Sequence, residues 1–121
     1  MADLPLRVRP TAKTAESNDL IQTVTSTATR ITNYGKTLIS LNSTANKTFL
    51  MENPIPGVRK VIIQVTTSTF VNTVNGLTTT VLFNTSSNVN LGFDTIGEIV
   101  ELEGRTTLVW DTITSTGMTA S

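Results

Sequence analysis

The residues able to do chemistry in this 121-residue chain are few and of a narrow kind. It contains no His and no Cys. A Cys- or His-based zinc site, a Ser–His pair and a Cys nucleophile are therefore all excluded. Acid–base catalysis near neutral pH loses its usual side chain, which leaves carboxylates, Lys, Tyr34 and hydroxyls. The carboxylates gather late, at Asp94, Glu98, Glu101, Glu103 and Asp111. Strand alternation puts Glu101 and Glu103 on one face, where oxygen ligands could hold calcium. The acidic loop of a dedicated calcium site is absent, and a solvated face is the expectation. Trp110, the single tryptophan, is expected in the core with its N–H reaching a partner near the rim. The competing reading makes it the platform of a carbohydrate-binding sandwich. Three Asn-x-Ser/Thr triplets begin at Asn42, Asn46 and Asn84, and a chain this rich in Asn and Thr produces them by chance. The inventory argues against an enzyme and predicts no cofactor and no metal site.

The elements that must position these residues are strands. Thr makes up about one residue in five and, with Val and Ile, gives a β-branched chain that favours pleated strands over helix. Formal net charge is zero, yet residues 1–60 carry +4 and residues 61–121 carry −4. Opposite charges meeting within the fold would explain the split, as would complementarity between copies or a basic arm on an acidic partner. No basic run exceeds Arg59-Lys60 and no aromatic residues interleave with basic ones, so nucleic acid is not an expected partner. Nothing resembles a signal peptide or a membrane span, and the expectation is a soluble protein made and assembled in a cytosol.

Along the chain, residues 1–20 read as an extended N-terminal arm that orders on contact with a neighbour, with a frayed tail as the alternative; in it Pro5 and Pro10 bracket the alternating Leu6-Arg7-Val8-Arg9. Residues 21–121 read as a single β domain. Strands are expected over Thr23–Thr32, Lys36–Leu41, Lys47–Glu52, Val58–Thr66, Thr69–Val74, Leu77–Phe83, Ile96–Leu102 and Arg105–Asp111. In Lys36–Leu41, Thr37, Ile39 and Leu41 share one face. Asn75-Gly76 between two β runs predicts a tight hairpin, and Glu103-Gly104 predicts a second. The tail from Thr112 to Ser121 is small and polar. The expected fold is all-β, a small antiparallel sandwich or barrel of about eight strands. In "NPIPG", Pro54 and Pro56 lack the N–H of an interior strand and Gly57 can take a φ closed to other residues. The segment is therefore expected to form a rigid corner that ends one strand and aims Val58–Val65 into the core.

The stretch "TRITNYGKTLISLNSTANKTFLMENPIPGVRKVIIQV" resembles a pattern in the small capsid decoration (cement) proteins of tailed bacteriophages. In them a polar strand pair precedes a proline-rich corner and a hydrophobic strand, a Thr/Val-rich region follows, and a late strand ends near Trp, here "TTLVWD". The likeness covers Thr29 to Ser115 and leaves the arm uncovered; similar modules occur in phage fibres and tail parts. It implies a β-rich homotrimer on the capsid surface of a virion, bound to the major capsid protein, assembled in the host cytoplasm and without enzymatic activity. Leu6, Arg7, Val8 and Arg9 of the arm are the expected docking residues, with Arg59 and Lys60 at the corner. The second expectation is a tail or fibre domain.

Overall fold

A computed structural model describes residues 20–26, 29–84 and 88–121. They form ten strands: β1 (Ile21–Val24), β2 (Gly35–Ile39), β3 (Lys47–Met51), β4 (Arg59–Gln64), β5 (Asn72–Gly76), β6 (Leu82–Phe83), β7 (Asn90–Phe93), β8 (Ile99–Gly104), β9 (Val109–Thr116) and β10 (Thr119–Ala120). One sheet has the order β1-β2-β4-β8-β9-β6 and the other β10-β7-β5-β3. The all-β expectation holds, and the architecture is a small β-sandwich. The proposed arm lies outside the described residues except for Leu20.

Period-2 alternation builds the core. β2 buries Gly35, Thr37 and Ile39 on the one face their alternation shares and half-buries Lys36 and Leu38 on the other, while β4 buries Lys60, Ile62 and Gln64. From the larger sheet Val24, Ile39, Ile62, Phe83, Val100, Leu102 and Trp110 meet Phe49, Met51, Val74, Leu91 and Phe93 of the smaller one. Each fully buried large apolar side chain contributes about 1.5–3 kcal/mol, so this layer supplies most of the force that holds the sheets together.

The pairing is mixed, where an antiparallel sandwich was expected. β1·β2, β2·β4, β3·β5 and β6·β9 are parallel, and β4·β8, β8·β9, β5·β7 and β7·β10 antiparallel. The reason is topological. The chain alternates between sheets from β2 to β5, so β3 makes the return journey between β2 and β4, and β4 makes it between β3 and β5.

Neither glycine turn falls where the sequence placed it. Asn75 and Gly76 are in β5 and pair with β3. Gly76 is buried against Val81, and a Cβ there would lie 2.4 Å from Val81 Cβ, so packing rather than turn geometry requires the glycine. The second hairpin exists, but its turn is residues 105–108, closed by Arg105 N–H donating to Val109 O at 2.8 Å. Gly104 belongs to β8 and makes room for the proline corner: a Cβ there would stand 2.1 Å from Ile55 O. The predicted Thr23–Thr32 strand stops at Val24, and the tail contributes most of β9 and all of β10.

The corner behaves as its sequence implies and is also anchored. Gly57 has φ +81°. Its N–H donates to Gly104 O at 2.8 Å, and Gly104 N–H donates to Val58 O at 3.0 Å. The chain thus leaves β3, bends through residues 52–58 while held to β8, and enters β4.

Candidate interaction surfaces

The predicted site residues separate into three groups. Leu6, Arg7, Val8 and Arg9 lie outside the described residues. Arg59 is exposed at the start of β4, where cross-strand register sets it opposite Glu103. Its Nε donates to Glu103 at 2.7 Å and its Nη1 to Glu101 at 2.6 Å. These bonds, Glu103's first, raise the guanidinium's pKa above its usual value. Arg105 likewise pairs with Asp111. Opposite charges therefore meet within the fold, and the shared face of Glu101 and Glu103 holds an arginine.

Lys60 corrects the expectation of a docking cation. It is fully buried on the inward face of β4 and presents nothing to a neighbour. The physical reason is strand phase: the unbroken Val61-Ile62-Ile63 run leaves undecided which face turns inward, and the structure turns in Lys60, Ile62 and Gln64. The Lys60 Nζ donates to Thr32 Oγ1 at 2.9 Å, to the Tyr34 carbonyl at 3.1 Å and to Thr37 Oγ1. Thr37 Oγ1 donates onward to Gln22 Oε1 at 2.8 Å, and Gln22 Nε2 donates to Arg30 O at 2.9 Å. Three acceptors thus match the three protons of an ammonium. Burial nevertheless pushes the pKa down to about 7, partly opposed by the Glu52 carboxylate.

At the far end of β4, Gln64 belongs to a buried neutral network. Asn72 Nδ2 donates to Leu41 O at 3.0 Å and to Gln64 Oε1 at 3.4 Å, Ser43 Oγ donates to Asn72 Oδ1, and Ser43 N–H donates to Ser68 Oγ at 2.9 Å. Asn42 and Asn46 extend it, their Oδ1 atoms accepting from Thr69 N–H at 2.9 Å and Val71 N–H at 3.2 Å. Two residues flagged by triplet pattern thus serve to zip neighbouring loops. Trp110 is core, as expected, but its Nε1 has no hydrogen-bond partner among the described residues, so the expected rim partner is not seen there.

Two surface features escaped the sequence reading. The first is the outward face of the larger sheet. Register aligns Thr23, Leu38, Ile63, Ile99 and Thr116 in one row across five strands, with Leu38, Ile63 and Ile99 half-buried at its centre. In the adjacent row Ile21, 61% exposed, and Val61 flank Lys36. The legible signal was Val61-Ile62-Ile63, which supplies apolar side chains to both faces of β4. The second is the free side of β9. β6 pairs with it only at Val109 and Trp110. From Thr112 to Thr116 no other described strand lies along its side away from β8, and Ile113–Thr116 are exposed. Among the described residues no group of three or more carboxylates gathers as a metal site. The sequence matches no protein-family profile and no curated protein.

Proposed function

We propose that this chain is a structural virion protein that binds the outer surface of a phage capsid and reinforces the shell as a decoration protein, most simply as a homotrimer. The observation that carries this reading is the stretch of β9 from Thr112 to Thr116, which pairs with no other described strand on its side away from β8. It offers the backbone donors and acceptors of every second residue to its free side, flanked by hydroxyls rather than by the Lys or Pro that commonly blunt an edge. A chain segment of the major capsid protein added there would gain main-chain hydrogen bonds in register, and a copy spanning two capsid subunits would make their separation require its own detachment. The bulge opposite Glu101 and Leu102 limits the straight edge, which disfavours indiscriminate pairing. The residue inventory and the segment-order likeness to capsid decoration proteins support the same reading.

Purified protein mixed with undecorated heads of the phage that encodes it tests the proposal by co-sedimentation. Saturable binding with greater resistance of the heads to heat or osmotic shock is the expected result; absence of both would overturn it. Binding to tails alone would favour the second reading, a tail or fibre domain attached to a receptor or a neighbouring tail protein, which rests on the same edge.

A further inference from the structure

The outward face of the smaller sheet carries a gap in an otherwise continuous row. Register sets Thr48, Thr73, Gly92 and Thr119 side by side across β3, β5, β7 and β10. Their chain neighbours Phe49, Val74, Leu91 and Phe93 are in the core, so alternation turns this row away from it. Gly92 has no side chain, and the threonines on either side of it stand two strand spacings apart, about 10 Å. Val71 overhangs the gap: a Cβ on Gly92 would lie 3.2 Å from its Cγ1. Along the same strand, Asn90 and Asp94 project two residues before and two after Gly92. An amide thus closes one end of the gap and a carboxylate the other, around a cavity of about 240 Å³.

The polar atoms around this cavity define what fits it. Among the described residues, Thr73 Oγ1 and Thr119 Oγ1 make no hydrogen bond. Asp94 Oδ1 accepts from Thr95 Oγ1 at 3.0 Å, and Oδ2 is left without a donor there. The backbone holds Asp94 in place: its N–H donates to Glu98 Oε1 at 2.7 Å, and its carbonyl accepts from Ser68 N–H at 2.7 Å. A hydroxyl both donates and accepts, whereas an ionised carboxylate only accepts. The complementary ligand therefore carries groups that each give and receive. An ammonium would suit Asp94 but, being donor-only, cannot receive from the threonines. A phosphate or carboxylate would face Asp94 with no cation among the described residues that line the cavity. At ~30 Å³ per water, the space holds about eight waters, room for one sugar ring and not for a chain. We propose that the cavity binds a neutral pyranose. Asp94 accepts from its hydroxyls, Thr73 and Thr119 give and receive, and Val71 meets a C–H face of the ring. Trp110, buried in the core, takes no part. The site lies on the other sheet from the free side of β9, so it is independent of capsid binding, and its test uses the free protein.

A cavity this small predicts millimolar affinity, which amide NMR shifts read directly. The isotopically labelled protein is titrated with the methyl glycosides of glucose, galactose, mannose and N-acetylglucosamine, each to about 50 mM, and with glycerol as the control. Saturable shifts at Thr73, Gly92, Asp94 and Thr119 with at least one glycoside, and none at Glu101 on the other sheet, are the supporting result. Gly92→Ala puts a methyl group on the floor of the cavity, against Val71, and should weaken that binding at least about 10-fold. Thr73→Val keeps the side chain's shape, removes one hydroxyl and should weaken it about 5-fold. An unchanged pattern of core amide shifts reports that each variant is folded, and the valine variant carries the test if the alanine one is not. No saturable shift with any of the glycosides would overturn the proposal. So would equal shifts with glycerol, which would make the sugar an adventitious additive only, or undiminished affinity in the folded variants.

Discussion

β4 carries an inward polar residue at each end, and the two ends satisfy it by different chemistry. At Gln64, side-chain amides and hydroxyls give and receive in turn, and Asn72 joins three chain segments without a charge. At Lys60 a donor-only ammonium draws on Thr32, Tyr34 and Thr37, and the same end of the sandwich contains Trp110 Nε1 and Asn53 Oδ1, which have no hydrogen-bond partner among the described residues. A sequence dominated by hydroxyls can close a neutral network almost anywhere, because each hydroxyl both donates and accepts. A buried cation needs acceptors in the right number and place, and burial itself works against its charge.

The strongest perturbation belongs to the Lys60 end. Gly104→Ala would drive a Cβ into the Ile55 carbonyl, and a loss of about 3 kcal/mol in urea unfolding is expected. A loss below about 1 kcal/mol would mean that the corner moves freely and is not anchored by β8. At the other end, Asn72→Ala leaves the Leu41 carbonyl, Gln64 Oε1 and Ser43 Oγ short of a partner. It is expected to cost about 2 kcal/mol, and equal stability of the variant and parent would show that the network is not a pin.

Lys60 gives the comparison its pH signature. With the native pKa near 7 and the unfolded one near the ordinary ~10.4, the unfolded chain binds more protons between those values. Stability therefore rises with pH across that window, is fully gained above it, and is lost as pH falls towards 7. The slope approaches ~1.4 kcal/mol per pH unit for one proton. Lys60→Met should flatten it while lowering stability at high pH, because Thr32 and Thr37 lose a donor. A slope that survives the substitution would assign the linkage elsewhere. The smallest effect is expected at the exposed ladder: Arg59→Glu, facing Glu101 and Glu103, should lower the melting temperature slightly and only at low salt. A large loss that persists in high salt would contradict a screened surface pair.

Much of the scaffold was legible. β-branched content announced an all-β chain, alternation in β2 set Thr37 and Ile39 on one face without saying which face turns inward, and Pro54, Pro56 and Gly57 marked the bend between β3 and β4. What stayed hidden depended on distant partners. Asn75-Gly76 carries the local signature of a hairpin, but Gly76 is small to accommodate Val81. Parallel pairing of β2 with β4 depends on β3 lying in the other sheet, which no local pattern records. Lys60 next to Arg59 looks like a basic surface pair, yet strand alternation must part them, and core packing decides which one goes inside. The outward row was half-visible in Val61-Ile62-Ile63, but its continuation through Leu38 and Ile99 required the register.

The alternation of the chain between sheets also sets the tempo of assembly. Among the described residues only β8 and β9 are joined as an antiparallel pair by a four-residue turn. By contrast β3 meets β5 25 positions along the chain at Lys47 and Asn72, and β4 meets β8 44 positions along at Arg59 and Glu103. Loop-closure entropy must be overcome before such contacts stabilise anything. The sandwich therefore belongs with slow, non-local folders, with the β8–β9 hairpin as its earliest local structure. The proline corner closes on Gly104 of that hairpin, so its anchoring hydrogen bonds are themselves non-local.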